Sequence, residues 1–450
     1  MKVNVLYLLA FSLFAIDCQC QSEILYTNLS GNVEKTIVRD FNYPASISYV
    51  KTSTGGCFVY YDGVSYSPTK VEVIPLYEVN DFRIDDDTLY FCGSNTYGEG
   101  IVGHFNVYDF FFGSHDYIVL SSSFITELGM VGSFDKMGIY KYGSSRKIAA
   151  IGRTQSGTCF VSEMIYNPIA VTCSYRIGAL DPLCQESFLD ICVTSNYVVT
   201  AGFETSGATE KVSIRIYEKN SMFSPSGPQP YASEFTSVSS YVAGFDDGQI
   251  LISHLYGDFF SVASYWRRPN SPVSNGTYLS IFNIASASDV SCSYSYYTTC
   301  NSVSQYGTLC EMTGFDIQTS WYLLQNVGLS NSQNIGSLIY KIDYLTTAGI
   351  FSANANIKTD AQFMSIDAPN GNAGFLLDGG WSSNPMSYVY CHSAKLFQNC
   401  MTDELIISLN DAMSKGVTYR PLMMSGADIT SFHPNQGTVS QMGLLKDCWE

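Results

Sequence analysis

Residues 82–107 read FRIDDDTLYFCGSNTYGEGIVGHFNV, and this stretch is the clearest copy of a pattern that recurs along the chain. Three short apolar segments, at 82–84, 88–93 and 101–105, are separated by one Asp-rich turn and one turn rich in Gly, Ser and Asn. Short runs of aromatic and β-branched residues between such turns are typical of antiparallel strands. The stretch therefore predicts a three-stranded unit whose second strand ends in glycine.

The same frame recurs along the chain, which indicates a protein built from repeats. Two clear copies begin near Met137 and Leu189, and fainter copies begin near Val242, Val290 and Phe363. Two further segments, 57–61 and the wider interval 316–360, have room for degenerate units. We therefore expect about seven units, each of roughly 50 residues.

That repeat length, with three or four strands per unit, is typical of one β-propeller blade. A single blade cannot bury both of its faces, so blades stack around a ring and share their core. We predict an all-β fold, a propeller of about seven blades. Tandem β-sandwiches are the alternative, because they also give short strands with frequent turns. Residues 402–413 fit either one short helix or a strand.

Two segments resemble known propeller repeats. Residues 375–380 (FLLDGG) resemble the apolar run and double glycine of kelch repeats, without the Tyr and Trp that follow in that family. Residues 82–105 resemble repeats of uncharacterised secreted propeller-like proteins of Gram-negative gut bacteria. The resemblance implies a secreted propeller and carries over no catalytic residue.

The beginning of the chain predicts export. Lys2, an apolar run at 5–16 and the small residues Cys18 and Cys20 match a signal peptide that is cleaved near Gln21. We therefore divide the chain into a signal peptide, 1–20, and a single propeller domain, 21–450.

The expected location is secreted, periplasmic or at the cell surface. A lipid anchor on Cys18 is the alternative, and the charge of Asp17 disfavours it. No later segment has the apolar length of a transmembrane helix.

The chain has 40 acidic and 23 basic residues and a formal net charge of −17. This balance disfavours nucleic acid, whose binding depends on Lys and Arg contacts to phosphate. It leaves cations, neutral glycans and proteins with basic patches open as partners, and an acidic surface that serves solubility is the alternative interpretation. Of these, a protein or glycan at the cell surface is the expected partner.

Of the 14 cysteines, 12 follow Cys20, and an even number in an exported chain favours disulfides. Several pairs have hairpin-like spacing: Cys159 with Cys173, Cys184 with Cys192, Cys292 with Cys300 or Cys310, and Cys391 with Cys400. Buried free thiols are the alternative interpretation of the same residues.

No sequence motif identifies a catalytic or cofactor-binding residue, and none is assigned. The five histidines, which lack zinc-hydrolase spacing, are His104, His115, His254, His392 and His433. Three acidic segments, 85–87, 246–248 and 378–380, carry carboxylates that Ca²⁺ accepts as ligands, but Asp and Gly also form turns. Whether the chain binds a metal stays undetermined from its sequence.

Aromatic stretches at 294–297 and 266–268 fit either a recognition surface or inter-blade packing, and packing is favoured. The sequons at Asn28 and Asn275 have meaning only in a eukaryotic source.

These observations favour an exported, non-enzymatic β-propeller that binds a protein or glycan partner. The alternative is a carbohydrate-active enzyme, a glycosidase or lyase, with two carboxylates about 5–9 Å apart at the propeller centre. A structural adhesin is a third possibility, which a long exposed edge strand would favour.

Overall fold

The structure is a computed structural model, and it describes 34 strands between Ser22 and Ile429 with some of their tight connections. The described connections are residues 86–87, 96–99, 107, 143–144, 155–158, 189, 194–196, 219 and 257–258. Among the described residues there is no helix, and so none with the length and apolar character needed to cross a membrane.

The strands are numbered in chain order. The first fourteen are β1 Ser22–Tyr26, β2 Asn32–Asp40, β3 Ala45–Thr52, β4 Gly55–Tyr61, β5 Pro68–Ile74, β6 Tyr77–Asp85, β7 Thr88–Asn95, β8 Gly100–Asn106, β9 Ile118–Ser121, β10 Ile125–Thr126, β11 Gly129–Tyr142, β12 Ser145–Thr154, β13 Cys159–Asn167 and β14 Thr172–Ala179.

The next thirteen are β15 Gln185–Glu186, β16 Asp190–Val193, β17 Tyr197–Ser206, β18 Thr209–Glu218, β19 Tyr231–Phe235, β20 Gln249–Tyr256, β21 Phe259–Tyr265, β22 Thr277–Ser286, β23 Asp289–Thr299, β24 Val303–Gly314, β25 Ser320–Leu329, β26 Ile335–Leu345 and β27 Ile350–Thr359. The last seven are β28 Ala361–Asp367, β29 Phe375–Trp381, β30 Asn384–Cys391, β31 Asp403–Leu405, β32 Ser408–Asp411, β33 Val417–Pro421 and β34 Gly426–Ile429.

These strands form seven antiparallel sheets, which are the seven blades. Blade 1 is β2–β5, blade 2 is β6–β9, blade 3 is β10–β14, blade 4 is β15–β19, blade 5 is β20–β23, blade 6 is β24–β27 and blade 7 is β28–β30. The first strands of successive blades contact one another around a closed ring, with β28 next to β2. The predicted all-β propeller is therefore confirmed, and the tandem-sandwich alternative is wrong.

The ring closes through the beginning of the chain. Strand β1 pairs antiparallel with β30 and becomes the outermost strand of blade 7, with Ser22 opposite Cys391 and Tyr26 opposite Ser387. The first and last blades are thereby joined by main-chain hydrogen bonds as well as by side-chain packing.

The apolar runs of the sequence are the middle strands of the blades. In β7 five consecutive residues are buried, because blades pack against both faces of the sheet and leave no solvent face. Between blades 1 and 2, the ring of Phe58 meets the rings of Phe82 at 5.2 Å and Phe105 at 5.4 Å, both edge-on. The core is a series of such inter-blade clusters.

The glycine that ends the second strand of the repeat has a steric cause. A Cβ atom on Gly93 would lie 1.8 Å from the carbonyl oxygen of Glu78, and one on Gly152 would lie 2.2 Å from that of Ser133. At both places the first strand bulges toward the second, so only glycine admits the close approach.

The end of the described chain runs back around the outside of the ring. Strands β31, β32, β33 and β34 each add an outermost, antiparallel strand to the outer edge of blades 6, 5, 4 and 3, in that order. We call these four strands the strap. The helix alternative for residues 402–413 is thus wrong, because this segment supplies two of the added strands.

Two details of the predicted repeat are wrong. The copy that was expected to begin near Val290 combines β23, the outer strand of blade 5, with β24, the first strand of blade 6. The interval 316–360 holds the other three strands of blade 6 and not a separate degenerate unit. Both errors arise because neighbouring strands look alike whether or not they belong to one sheet.

The predicted disulfides are not formed among the described cysteines, since Cys92, Cys159, Cys192 and Cys310 are free thiols. Register explains the failure of the first pair. In the β13–β14 hairpin Cys173 lies opposite Tyr166, seven residues from Cys159. At about 3.3 Å per residue this separation far exceeds the reach of a disulfide.

Of the other predicted disulfides, only Cys292 with Cys310 has both cysteine side chains among the described residues. The thiol of Cys292 donates a hydrogen bond to the carbonyl of Tyr294, and Cys310 lies on the first strand of the next blade. Cys184, Cys300 and Cys400 lie outside the described residues, as do Cys18, Gln21 and the whole predicted signal peptide.

We expect iodoacetamide to label Cys92, Cys159, Cys192 and Cys310 in the chain unfolded without reductant. In the folded chain Cys92 and Cys192 should resist labelling, because burial raises the pKa of both thiols and excludes the reagent. Peptide mapping by mass spectrometry measures both states. Labelling of any of the four only after reduction would contradict the free-thiol assignment.

Candidate binding cavity at the centre of the ring

The first strands of the blades share one irregularity that shapes the centre of the molecule. In five of them a β-bulge inserts an extra residue, namely Glu34, Asn80, Asp135, Cys310 and Met364. A bulge re-aims the side chain that follows it. The residues that follow are Lys35, Asp81, Lys136, Glu311 and Ser365.

Blades 4 and 5 have equivalent positions. Asp190 begins β16 after a break in the first strand of blade 4, and it lies opposite Ala201 of the second strand. Leu251 is the counterpart in blade 5. The amide of the next residue, Ile252, donates to a carboxylate of the preceding blade, just as Met137 N does. We call the seven residues the central ring: Lys35, Asp81, Lys136, Asp190, Leu251, Glu311 and Ser365.

Acidic members of the central ring bind the main chain of the next blade. Asp81 accepts hydrogen bonds from its own neighbour Phe82 N and from Met137 N of blade 3, both at 3.0 Å. Asp190 repeats the arrangement with Ile191 N and Ile252 N of blade 5, both at 2.9 Å. Each carboxylate thus satisfies two amides on strand edges that face the ring centre.

The same connection continues around the ring. Glu311 accepts hydrogen bonds from Ile366 N, at 3.2 Å, and from the hydroxyl of Ser365 in blade 7. The hydroxyl oxygen of Ser365 accepts from Thr36 N of blade 1 at 2.8 Å, and Lys35 then donates to Asp81 of blade 2 at 2.6 Å. Blades 6, 7, 1, 2 and 3 are therefore linked in series by ring side chains.

The buried charges of the ring compensate one another. Burial by itself would raise the pKa of Asp81, but Arg83, Lys35 and Lys136 outweigh it and hold that pKa well below its usual range. For Asp190 and Glu311 burial prevails over their cationic neighbours, and their pKa values are raised. Of the three carboxyl groups, Asp81 is thus the one whose charged form the neighbouring cations stabilise most.

A cavity of about 430 Å³ lies beside the central ring, on the side of the C-terminal ends of the first strands. All seven blades contribute to its wall. Its charged lining residues are Lys35, Arg83, Glu311 and Asp367. Aliphatic side chains form much of the rest: Ile37, Ile84, Met137, Ile139, Ile191, Val193, Ile252 and Met312.

Most charged groups of this cavity are already engaged. Arg83 donates from Nε to the carbonyl of Met137 at 3.1 Å and lies 3.5 Å from Asp81, with 38% of its side chain exposed. Asp367 accepts from the hydroxyl of Thr313 at 3.3 Å. The carboxylates therefore act first as inter-blade connectors.

Of the candidate residues from the sequence, Cys192 and His254 line this cavity, and His254 Nε2 hydrogen-bonds to the carbonyl of Gly257 at 2.9 Å. His104 is buried elsewhere in blade 2, and burial lowers its pKa to about 4. His115, His392 and His433 lie outside the described residues. The structure does not bring together the two histidines that it describes, His104 and His254.

The acidic segments have separate outcomes. Asp85 and Asp86 form ion pairs with Arg146 of blade 3, and Asp86 takes the positive φ of the turn. Residues 378–380 lie inside β29, so the predicted turn there is wrong. Residues 246–248 are not described. Across the described residues no group of three or more His, Cys, Asp or Glu side chains could hold a metal ion.

The remaining candidates fall on β23 or outside the described chain. Tyr294 and Tyr296 stack at 6.2 Å, and Tyr294 packs against the core between blades 5 and 6, as the packing interpretation predicts. Residues 266–268 and the sequon residues Asn28 and Asn275 are not described.

Sequence reasoning missed the central ring. A signal was present, since a charged residue stands just before the apolar part of the first strand in most repeats, as in Asp81-Phe82 and Asp190-Ile191. The bulges that align these residues are not visible in the sequence.

The described sheets define the class of this protein, a seven-bladed β-propeller closed by its N-terminal strand. No protein-family model matches the chain, and no curated protein matches it. The resemblances to kelch repeats and to secreted proteins of gut bacteria stay predictions.

Two solved β-propellers are similar in architecture. The β-propeller domain of the Trilobed protease from Pyrococcus furiosus has 10% identity and a TM-score of 0.44, over 86% of this chain and 98% of that one. The WD40 domain of SCAP from fission yeast has 8% identity and a TM-score of 0.34, over 83% of this chain and 95% of that one.

We expect Asp81→Asn to lower the free energy of unfolding by about 3–5 kcal/mol, because it leaves buried cations without their carboxylate. Denaturant unfolding at pH 7 measures the loss, and Asp289→Asn, on an exposed strand position, is the control. The lowered pKa of Asp81 means that its contribution is present above about pH 4 and is lost as pH falls below that value.

The difference between wild type and Asp81→Asn should therefore shrink from pH 5 toward pH 2. A loss of unfolding free energy at pH 7 no larger than that of the Asp289→Asn control would contradict the stabilising role of Asp81.

Proposed function

We propose that this chain is an exported, non-enzymatic β-propeller that binds a protein partner in the cavity at the centre of the ring. The observation that carries the proposal is the chemistry of the cavity wall, which combines aliphatic side chains with a few charged groups. A wall of this kind suits an inserted peptide segment with an apolar body and a polar tip.

The cavity supports a protein partner better than a glycan. Among the described lining residues there is no Phe, Tyr or Trp, so the flat apolar surface on which a sugar ring would stack is missing there. Its volume lies within the range of small-ligand pockets, which also accommodates a few side chains of a peptide.

The cavity also supports binding better than catalysis. Glu311 and Asp367, which line it from neighbouring blades, both accept hydrogen bonds that join those blades. A glycosidase needs one carboxyl that releases a proton and one that attacks or activates water, and both must be able to reach the substrate. Carboxylates that hold the scaffold are poorly suited to that work.

One observation keeps the carbohydrate-active enzyme as a second candidate. Burial raises the pKa of Glu311, as in a general acid, and Asp367 lines the same cavity. Hydrolysis of any member of a glycan panel, lost in both Glu311→Gln and Asp367→Asn while those variants stay folded, would favour this enzyme.

Peptides selected from a displayed library on the chain from Gln21 onward should bind in the cavity. We expect Ser253→Trp, which fills the cavity, to weaken their binding about tenfold or more by blocking the apolar wall. Thr96→Trp, in the exposed turn between β7 and β8, is the matched control and should leave binding unchanged. Calorimetry measures both affinities.

Peptide binding that Ser253→Trp leaves intact would place the partner elsewhere. Glycan binding that Ser253→Trp abolishes, with no peptide selected, would replace the protein partner by a glycan.

Export is tested by expressing the full chain in a secretory host. The secreted protein should begin at Gln21, because the apolar run and the small residues before Gln21 form a cleavable signal. N-terminal sequencing and intact mass measure the terminus. Retention of Met1 would contradict export through this signal, and a lipid-modified terminus at Cys18 would establish the lipoprotein alternative.

A further inference from the structure

The strap recognises blades by their main chain. Its four strands differ in sequence, DEL, SLND, VTYRP and GADI, yet each pairs antiparallel with the outermost strand of a blade. Binding through the backbone hydrogen bonds of a sheet edge, with little demand on side chains, is β-strand addition. The outer edge of a blade in this protein is therefore a general acceptor for a short strand.

Three blades have no strap strand within the described part of the chain. Their outermost strands there are β5 in blade 1, β9 in blade 2 and β1 in blade 7. An open edge promotes aggregation, and proteins protect such edges with Pro or charged residues. The sequence of β5 contains Pro68, Lys70 and Glu72, and that of β1 contains Glu23.

Strand β9 differs from the other two. Its sequence, Ile-Val-Leu-Ser, has neither Pro nor a charged residue, and it pairs on its inner side with β8 from Ile101 to His104. By composition it is the edge of the three that most needs a covering strand.

The direction of the strap indicates which segment of the chain covers β9. The strap passes blades 6, 5, 4 and 3 in that order, so blade 2 is next. Its strands begin at Asp403, Ser408, Val417 and Gly426, at intervals of five to nine residues. The sequence continues beyond Ile429 to Glu450, which is enough for a further step of this kind.

We propose that the outer edge of β9 is the docking site of the chain's own segment 437–441, GTVSQ, as a fifth strand of blade 2. The segment begins 11 residues after Gly426 and contains the β-branched pair Thr438 and Val439, which favours a strand. The strap then covers five consecutive blades, and within the described part of the chain the two edges without a strap strand are those whose sequences carry Pro or charge.

Hydrogen–deuterium exchange of the full chain against a chain that ends at Ser431 tests the proposal. Without the segment, the outward-pointing amides of β9 should exchange about tenfold faster or more, because their acceptors are gone. The amides of β14, which β34 covers in both chains, are the internal control. Unchanged exchange in β9 with a folded truncated chain would overturn the proposal.

A point variant separates strand pairing from loss of the whole segment. Val439→Pro in the full chain removes an amide donor and opposes an extended pair, so it should reproduce the faster exchange of β9. Lys446→Pro, outside the segment, should not. A synthetic peptide of residues 432–450 should restore β9 protection when added to the truncated chain, and its failure together with a silent Val439→Pro would also overturn the proposal.

Discussion

The centre of the ring is held together above all by Asp81, which accepts hydrogen bonds from amides of its own blade and of blade 3 and forms an ion pair with blade 1. The first strand of every blade is a sheet edge at the ring centre, and its amides have no strand partner there. Asp81 satisfies the amides of Phe82 and Met137 and pairs with Lys35. Asp190, Glu311 and Ser365 do the same work at other inter-blade junctions. A buried charge of this kind stabilises only while its partners remain, so the ring couples the blades cooperatively.

The sheet edges at the outside of the ring are satisfied in a different way from those at its centre. At the centre, side chains supply the acceptors that the strand edges need, whereas at the rim the chain itself supplies further strands. Strand β1 closes blade 7, and the strap extends blades 3 to 6. Both devices protect sheet edges by pairing, which removes the template for association with other molecules. Both ends of the described chain thus add main-chain pairing at the rim to the side-chain hydrogen bonds that join the blades at the centre.

The central ring also shapes what the cavity can do. Its carboxylates are engaged by neighbouring amides and cations, so the charged residues near the cavity serve the scaffold first. The aliphatic side chains of the first strands, such as Ile139 and Ile252, are left to form the wall. Polar groups thus serve the structure while apolar groups face the cavity, and this arrangement is the basis for proposing that the cavity binds a protein segment.

From the sequence alone, most of the strands and an approximate number of blades could be predicted, because strands that are buried on both faces are apolar runs such as 88–92. The boundary between blades 5 and 6 could not be predicted in this way. The recurring glycines Gly93 and Gly152 were also visible in the sequence, but the close approach of the first strand that requires them was not. Tertiary structure alone decided the rest. Lys35, Asp81, Asp190 and Glu311 line one ring only because strand irregularities and ring closure align positions that are 46 to 276 residues apart along the chain. Register placed Cys159 and Cys173 at opposite ends of a hairpin, and the strap depends on edges that exist only once the sheets have formed. Pairing between distant strands depends on geometry that no local pattern encodes.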